Sequence, residues 1–283
     1  MTGASDGSCQ PRVPQPVKPL TRNQLVAARR LLHRRGRASA GAFLVEGAQA
    51  VREALRAHSS GRAVVCHLVV TDPARHADLL GMAGELPVLL ADARQAGQLG
   101  DTVTAPGIWA VTRCLIPAAF EPGHRSGLAV ICAQVRDPGN AGTVIRCADA
   151  FGADAVLLTR GSVELTNPKT VRASVGSIFH LPVYTDMTFA QTIEWARGRG
   201  MQLLAADATG IGLDALTAAG RLTRPTCWIF GNEAWGLPAD ARAAADEVVA
   251  IPMWGQAESL NLSAAAAVCL YASASVRHRV TDR

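Results

Sequence analysis

Long apolar runs alternating with helical periods dominate the second half of the chain. Residues 128–134 form an unbroken apolar run, the pattern of a strand covered on both faces. Residues 139–151 carry a helical period, and 155–159 read as a second strand. The same reading predicts helices over 168–177, 188–197 and 260–275, and strands over 181–184, 202–206, 227–231 and 248–252. Strand and helix in this alternation predict a mostly parallel sheet with helices on both sides. Ligands on such sheets sit at the carboxyl ends of the strands.

The first half is less regular. Residues 42–58 place Leu44, Val45, Ala48, Val51 and Leu55 on one side, which predicts an amphipathic helix. Short apolar runs at 64–70, 88–90 and 108–112 are split by Gly, Pro and Asp, so a small α/β domain is expected over 20–116. Residues 1–19, rich in Pro, Gly and Ser, read as a flexible leader. Residues 117–126 read as a linker ahead of a second domain over 127–283.

Composition narrows the class. A chain of 283 residues, 49% hydrophobic and 18% charged, is long enough for two domains and too apolar for global disorder. The uncharged stretch 259–276 contains four serines and Asn261, too polar for a spanning helix of about 20 apolar residues. No apolar core of a signal peptide stands at the start, so a soluble, cytoplasmic protein without membrane contact is expected. Seven cysteines lie widely spread with no C-x-x-C pair, and the seven histidines form no spaced cluster; neither a disulfide framework nor a metal site is expected.

The net charge of +5 divides unevenly. Residues 1–123 hold 14 Lys+Arg and 9 Asp+Glu, whereas residues 124–283 hold 14 of each. Lys18, Arg22, Arg29, Arg30, Arg34, Arg35 and Arg37 fall within twenty residues that contain no acid. Leu25, Ala28, Leu31 and Leu32 recur there at helical spacing, so a basic amphipathic helix able to bind a polyanion is expected. Lys169 and Arg172 are further candidates for backbone contacts, or else mark a solvated helix face.

Neither G-x-G-x-x-G after the first strand nor G-x-x-x-x-G-K-[ST] is present, which removes the usual dinucleotide and P-loop readings. Three polar segments each follow a predicted strand instead. The first, 134–146, contains Pro138, Gly139, Asn140, Gly142 and Arg146; the second, 229–238, contains Gly231, Asn232, Glu233 and Gly236. The third, 251–263, runs from Ile251 through Met253, Ser259, Leu260 and Asn261. Singly, Asn140 and Ser259 suit helix caps, Arg146 a surface ion pair, and the glycines turns. Their order and placement after strands is far more specific.

The three segments resemble the motifs of the SpoU (TrmH) branch of the SPOUT methyltransferases: N-x-G-x-x-x-R, then a G-N-E-x-x-G-L turn, then I-P-M followed by S-L-N-x-S. The match spans about residues 127–276, and residues 43–47 and 107–111 resemble, less specifically, the family's smaller substrate-binding domain. The resemblance implies an α/β fold: a C-terminal SPOUT Rossmann-like parallel sheet with a trefoil knot, plus a small N-terminal α/β (L30e-like) domain. It implies homodimers that transfer a methyl group from S-adenosyl-L-methionine to a ribose 2′-hydroxyl of RNA. By position, Gly231, Ile251 and Leu260 would hold the cofactor, with Thr159, Asn232 and Met253 beside them. Asn140, Arg146, Glu233, Ser259 and Asn261 match the active-site residues, the arginine coming from the other subunit.

The residue types suit that chemistry. Methyl transfer is an in-line displacement, so alignment of the acceptor oxygen is the main requirement, and no metal is needed. The hydroxyl benefits from losing its proton as it attacks. The resemblance makes Arg146 the proton acceptor, but a guanidinium in a protein stays protonated; clamping a phosphate and stabilising alkoxide charge suit it equally. Ribosomal RNA is the leading substrate and transfer RNA the alternative. An RNA-binding protein without transfer activity and a nicotinamide-dependent oxidoreductase stay open as rivals.

Overall fold

The computed structural model describes residues 16–100, 105–115 and 127–281, and the expected linker lies outside them. The first half consists of β1 (Lys18–Pro19), α1 (Arg22–Arg30), α2 (Arg34–Ala40), β2 (Ala42–Glu46), α3 (Ala48–Ser59), β3 (Ala63–Val70), α4 (Ala77–Ala83), β4 (Val88–Leu90), α5 (Ala93–Ala96) and β5 (Ile108–Leu115). Its five strands form one mixed sheet in the order β1-β4-β3-β5-β2.

Three expectations for this half are corrected. Residues 42–46 are a strand, not the start of a helix: all five are buried, and they pair antiparallel with β5. Gly47, at φ 95°, then turns the chain into α3. A continuous apolar run fits a strand buried on both faces as well as one helical turn, and pairing decides it. The basic segment is likewise two helices: α1 opens on a Thr21–Gln24 capping box and ends at Arg30, and α2 closes on the left-handed Gly41. Finally, Lys18 and Pro19, the last two residues of the expected leader, belong to the sheet, paired parallel with Leu89 and Leu90, while residues 1–15 of that leader lie outside the described residues.

The second half follows as β6 (Leu128–Cys132), α6 (Pro138–Ala150), β7 (Ala155–Thr159), α7 (Pro168–Ser174), β8 (Val183–Met187), α8 (Phe189–Arg197), β9 (Gln202–Gly212), α9 (Leu213–Ala218), β10 (Thr226–Phe230), α10 (Ala239–Ala244), β11 (Glu247–Ala250) and α11 (Leu262–Thr281). The sheet order is β11-β9-β10-β6-β7-β8, and every pair is parallel. All residues of β6, β7 and β10 are buried, as a sheet covered on both faces demands. Each buried Leu, Ile or Val there contributes about 1.5–3 kcal/mol relative to exposure. One serine of the polar C-terminal stretch has its explanation in the core: Ser273, fully buried on α11, accepts from the Trp228 indole at 2.9 Å.

Ion pairs tie the two sheets together. Arg37 on α2 reaches Glu164 at 2.6 Å, and Arg172 on α7 reaches Glu46 on β2 at 3.0 Å. His180 sits between Glu53 of α3 at 3.1 Å and Asp149 of α6 at 2.7 Å. Among the described residues no helix is long and apolar enough to cross a membrane.

Candidate active site

Strand order makes the site. β6 has β7 on one side and β10 on the other, so the loops leaving the carboxyl ends of β6 and β10 part in opposite directions and open a crevice. Asp137 caps α6 by accepting from the Asn140 amide at 2.7 Å, with Pro138 in the first turn. Asn140 is therefore not the cap, as the sequence had suggested; the Asp-Pro pair takes that role and frees its side chain. That side chain donates to Glu233 Oε1 at 3.2 Å and accepts from Asn261 Nδ2 at 3.0 Å. Asn261 in turn starts α11, accepting from the Ser263 amide at 2.9 Å. One chain of hydrogen bonds thus links the three segments.

Glu233 also accepts from the backbone N–H groups of Arg136 and Asp137, both at 3.2 Å, ahead of the helix where a carboxylate is electrostatically favoured. Its loop is a tight reversal in which Asn232 and Gly236 exchange backbone hydrogen bonds at 2.9 Å. A side chain on Gly231 would collide with the Gly236 backbone, which makes glycine obligatory there. Buried Asn232 donates to the Gln134 carbonyl at 2.6 Å, holding that residue in a left-handed conformation at φ 55°. Gly142 serves packing: a Cβ there would lie 2.5 Å from the Thr170 carbonyl oxygen, so α6 and α7 could not approach.

A cleft of about 460 Å3 opens beside this network, between the ends of β9, β10 and β11 and the start of α11. Asn140, Glu233, Ser259 and Asn261 line it, as do Gly231, Asn232, Ile251, Met253 and Leu260. Asp207 and Glu258 complete its polar lining, and neither Lys, Arg nor His contributes to it. Among the described residues, the backbone N–H groups of residues 253–260 have no partner in the chain, so they are free to bind a ligand. Asp207 was not singled out from the sequence, although its place after the apolar run of β9 is a signal.

Several predicted residues lie elsewhere. Arg146 is exposed on α6 and does not line the cleft. Thr159 is buried and spans the sheet, accepting from Gln134 N at 2.9 Å and donating to the Cys132 carbonyl at 3.3 Å; it lines a different cavity. Arg37 is only 5% exposed, bound to Glu164 and to the carbonyls of Leu31 and Leu32, so it cannot face RNA. Arg22, Arg29, Arg30, Arg34 and Arg35 are exposed, with Arg29 donating to Gln98 at 3.0 Å. Arg172 is engaged by Glu46, while Lys169 is exposed.

The buried thiols add nothing to the site. Burial pushes Cys132 and Cys269 up to about 12, which leaves them inert. Among the described residues no group of three or more His, Cys, Asp or Glu could hold a metal ion.

Known proteins resemble this chain in sequence and fold. Residues 127–271 match the model of the SpoU rRNA methylase family. The 23S rRNA (guanosine(2553)-2′-O)-methyltransferase RlmP of Bacillus subtilis is 34% identical over 251 residues, covering 88% of this chain and 96% of that protein. The fold is similar to a crystal structure of an RNA 2′-O ribose methyltransferase, at TM-score 0.77 and 29% identity over 93% of this chain and 99% of that one. It is also similar to the SpoU methyltransferase AviRb of Streptomyces viridochromogenes in complex with AdoMet, at TM-score 0.74 and 27% identity over 93% and 100% of the two chains. With the three motif segments gathered at one cleft inside the matched region, the chain belongs to the SpoU rRNA methylase family.

Proposed function

We propose that this protein transfers a methyl group from S-adenosyl-L-methionine to a ribose 2′-hydroxyl of ribosomal RNA, acting as a cytoplasmic homodimer. The observation that carries the reading is the cleft's electrostatics. Its lining holds Asp207, Glu233 and Glu258 and no cationic side chain, which suits a sulfonium with an ammonium group. It is hostile to the pyrophosphate of a nicotinamide dinucleotide, which disfavours the oxidoreductase. A volume of about 460 Å3 falls in the range of small-molecule sites. Apolar walls from Ile251, Leu260 and Leu237 suit an adenosine, and the free N–H groups of residues 253–260 supply donors for its edge.

When bound, S-adenosyl-L-methionine supplies the methyl as an electrophilic carbon on sulfur. The chain's residues then have positioning roles. Asn140 and Asn261, coupled at 3.0 Å, orient the ribose, and Ser259 beside them offers a hydroxyl for the same purpose. Glu233 fixes the first segment through three hydrogen bonds and stands as a positioning residue. Arg146, absent from its own cleft yet exposed, reaches the cleft of a second copy, where it clamps the phosphate beside the target and stabilises charge developing on the 2′-oxygen. The threading of the C-terminal segment through a trefoil knot belongs to the same reading. Residues 20–116 grip the RNA with Arg22, Arg29, Arg30, Arg34 and Arg35, and residues 127–283 carry out the transfer.

Incubating the protein with methyl-labelled S-adenosyl-L-methionine and an unmodified large-subunit rRNA transcript tests this. Label should appear in a single 2′-O-methylated nucleotide after digestion. Label on a base, or on transfer RNA alone, would refute the reading as stated.

A further inference from the structure

A second cavity, also about 460 Å3, lies at the seam between the two sheets, and nothing in the reaction uses it. Its floor is apolar, built from Leu158, Ile178, Phe179, Leu181 and Val183. Two guanidinium groups stand at its rim: Arg34 from α2, and Arg62 from the turn before β3. Arg62 is fixed, donating to the Phe179 carbonyl at 2.9 Å and to Ser60 at 3.0 Å. Arg34 is exposed and, among the described residues, makes no hydrogen bond or ion pair; burial raises the Glu164 pKa, but the Arg37 and Thr166 hydrogen bonds, with the charges of Arg37 and then Arg34, hold that carboxyl below the usual range.

Of the two anions in the lining, one is paired and the other keeps its carboxylate free. Glu164 is taken by Arg37 at 2.6 Å and by Thr166 at 2.7 Å. Asp186 is exposed in a left-handed conformation at φ 59°, and its carbonyl is held by Arg160 at 2.9 Å. An apolar floor for a base, a carboxylate for a hydroxyl or amino group, and two arginines for a phosphate make up a complementary set for one nucleotide.

The position relative to the cleft names the source. Thr159 lines this cavity and accepts from Gln134 N; the Gln134 carbonyl accepts from Asn232, which lines the cleft. Gln134 alone therefore stands between the two linings, and Arg34, one of the exposed arginines of α2, belongs to the cavity itself. We infer that this cavity holds one nucleotide of the substrate RNA other than the one methylated, its base on the apolar floor and its phosphate on Arg34 and Arg62. The inference rests on the proposed function, whose substrate it extends.

Arg34 and Ala38 share a helix face at i, i+4 and both border the cavity, so each can be changed without touching the core. The test measures equilibrium binding of the unmodified rRNA transcript and, separately, methyl transfer to it. Arg34→Glu should weaken binding about tenfold, the loss of one charge-assisted contact, and reduce the salt slope by about one. Ala38→Trp should fill the cavity and weaken binding about tenfold with the salt slope unchanged. Both variants should keep the wild-type melting temperature and affinity for S-adenosyl-L-methionine. Because Arg34 also belongs to the proposed RNA grip, unchanged transcript affinity in Ala38→Trp by itself overturns the inference, as does tight binding of free uridine 5′-monophosphate that leaves RNA binding unaffected. A wild-type protein that binds the transcript but transfers no methyl refutes the function instead, and the binding comparison still decides the cavity.

Discussion

Glu233 and Asn140, 93 positions apart in the chain, meet at 3.2 Å, and the same carboxylate holds the two backbone N–H groups that precede the helix bearing Asn140. One side chain thereby sets the position of the loop that leaves β6. Replacing it with alanine removes all three hydrogen bonds while leaving the cleft's walls in place. Glu233→Ala should lower kcat about tenfold or more, with a smaller effect on binding of S-adenosyl-L-methionine, measured by steady-state transfer and calorimetry. Glu233→Gln, which keeps an acceptor oxygen, should recover part of the rate; equal rates for both variants would show that the hydrogen bonds do not matter.

Arg146→Ala should abolish methylation and leave the fold and cofactor affinity nearly unchanged, because the side chain is exposed and outside its own cleft. Co-expressing Arg146→Ala with Asn140→Ala should restore partial activity, since a mixed dimer contains one site with both residues intact. Absence of any recovery in verified mixed dimers would place Arg146 and Asn140 in the same copy.

Arg37→Ala should destabilise the protein by about 2–3 kcal/mol, read from denaturant unfolding, because it leaves Glu164 and two carbonyls without their cation. Its removal should not alter the salt slope of RNA binding. Arg30→Glu and Arg35→Glu should do the reverse: weaker RNA binding with a shallower slope and little change in stability. Deleting residues 1–40 would be a poor substitute for these changes, since Leu20, Leu25, Ala28 and Leu31 are buried in the core.

His180 confers a pH dependence. Burial opposes its charge, but hydrogen bonds to Asp149 and Glu53, with their charges, outweigh burial and raise its pKa above 6.5. Glu53 also pairs with Arg56 at 2.8 Å, and burial of that carboxyl, which raises its pKa, is outweighed by His180 and Arg56. A raised histidine pKa means stability that is full below the unfolded value of about 6.5 and lost as pH climbs through the folded value. The stability difference between wild type and His180→Gln should therefore shrink from pH 6 to pH 9. A difference independent of pH would mean that folding does not shift the His180 pKa, and one that grows with pH that folding lowers it.

The parallel sheet was legible because buried strands and amphipathic helices differ in period, and the predicted run over 155–159 coincides with β7. The first half was harder to read. Residues 42–46 had to be a strand because β5 lies beside them, a partner more than sixty positions away that no local pattern encodes. The motif loops were recognisable as a set, yet their internal wiring was not. Asp137 could have been identified as the cap of α6 from its position before Pro138, which would have freed Asn140 for the contacts it makes. Arg37 shows the limit of charge counting: six of its basic neighbours face solvent or leave the core, whereas its own burial follows from Glu164, 127 positions on.

The central claim, ribose methylation of ribosomal RNA, is tested most directly by mapping 2′-O-methyl groups across total RNA from cells with and without this protein. The account predicts that one ribosomal RNA site loses its methyl group and regains it when the wild-type protein, but not Arg146→Ala, is restored. An identical map in both cells, or a loss confined to transfer RNA, would contradict it.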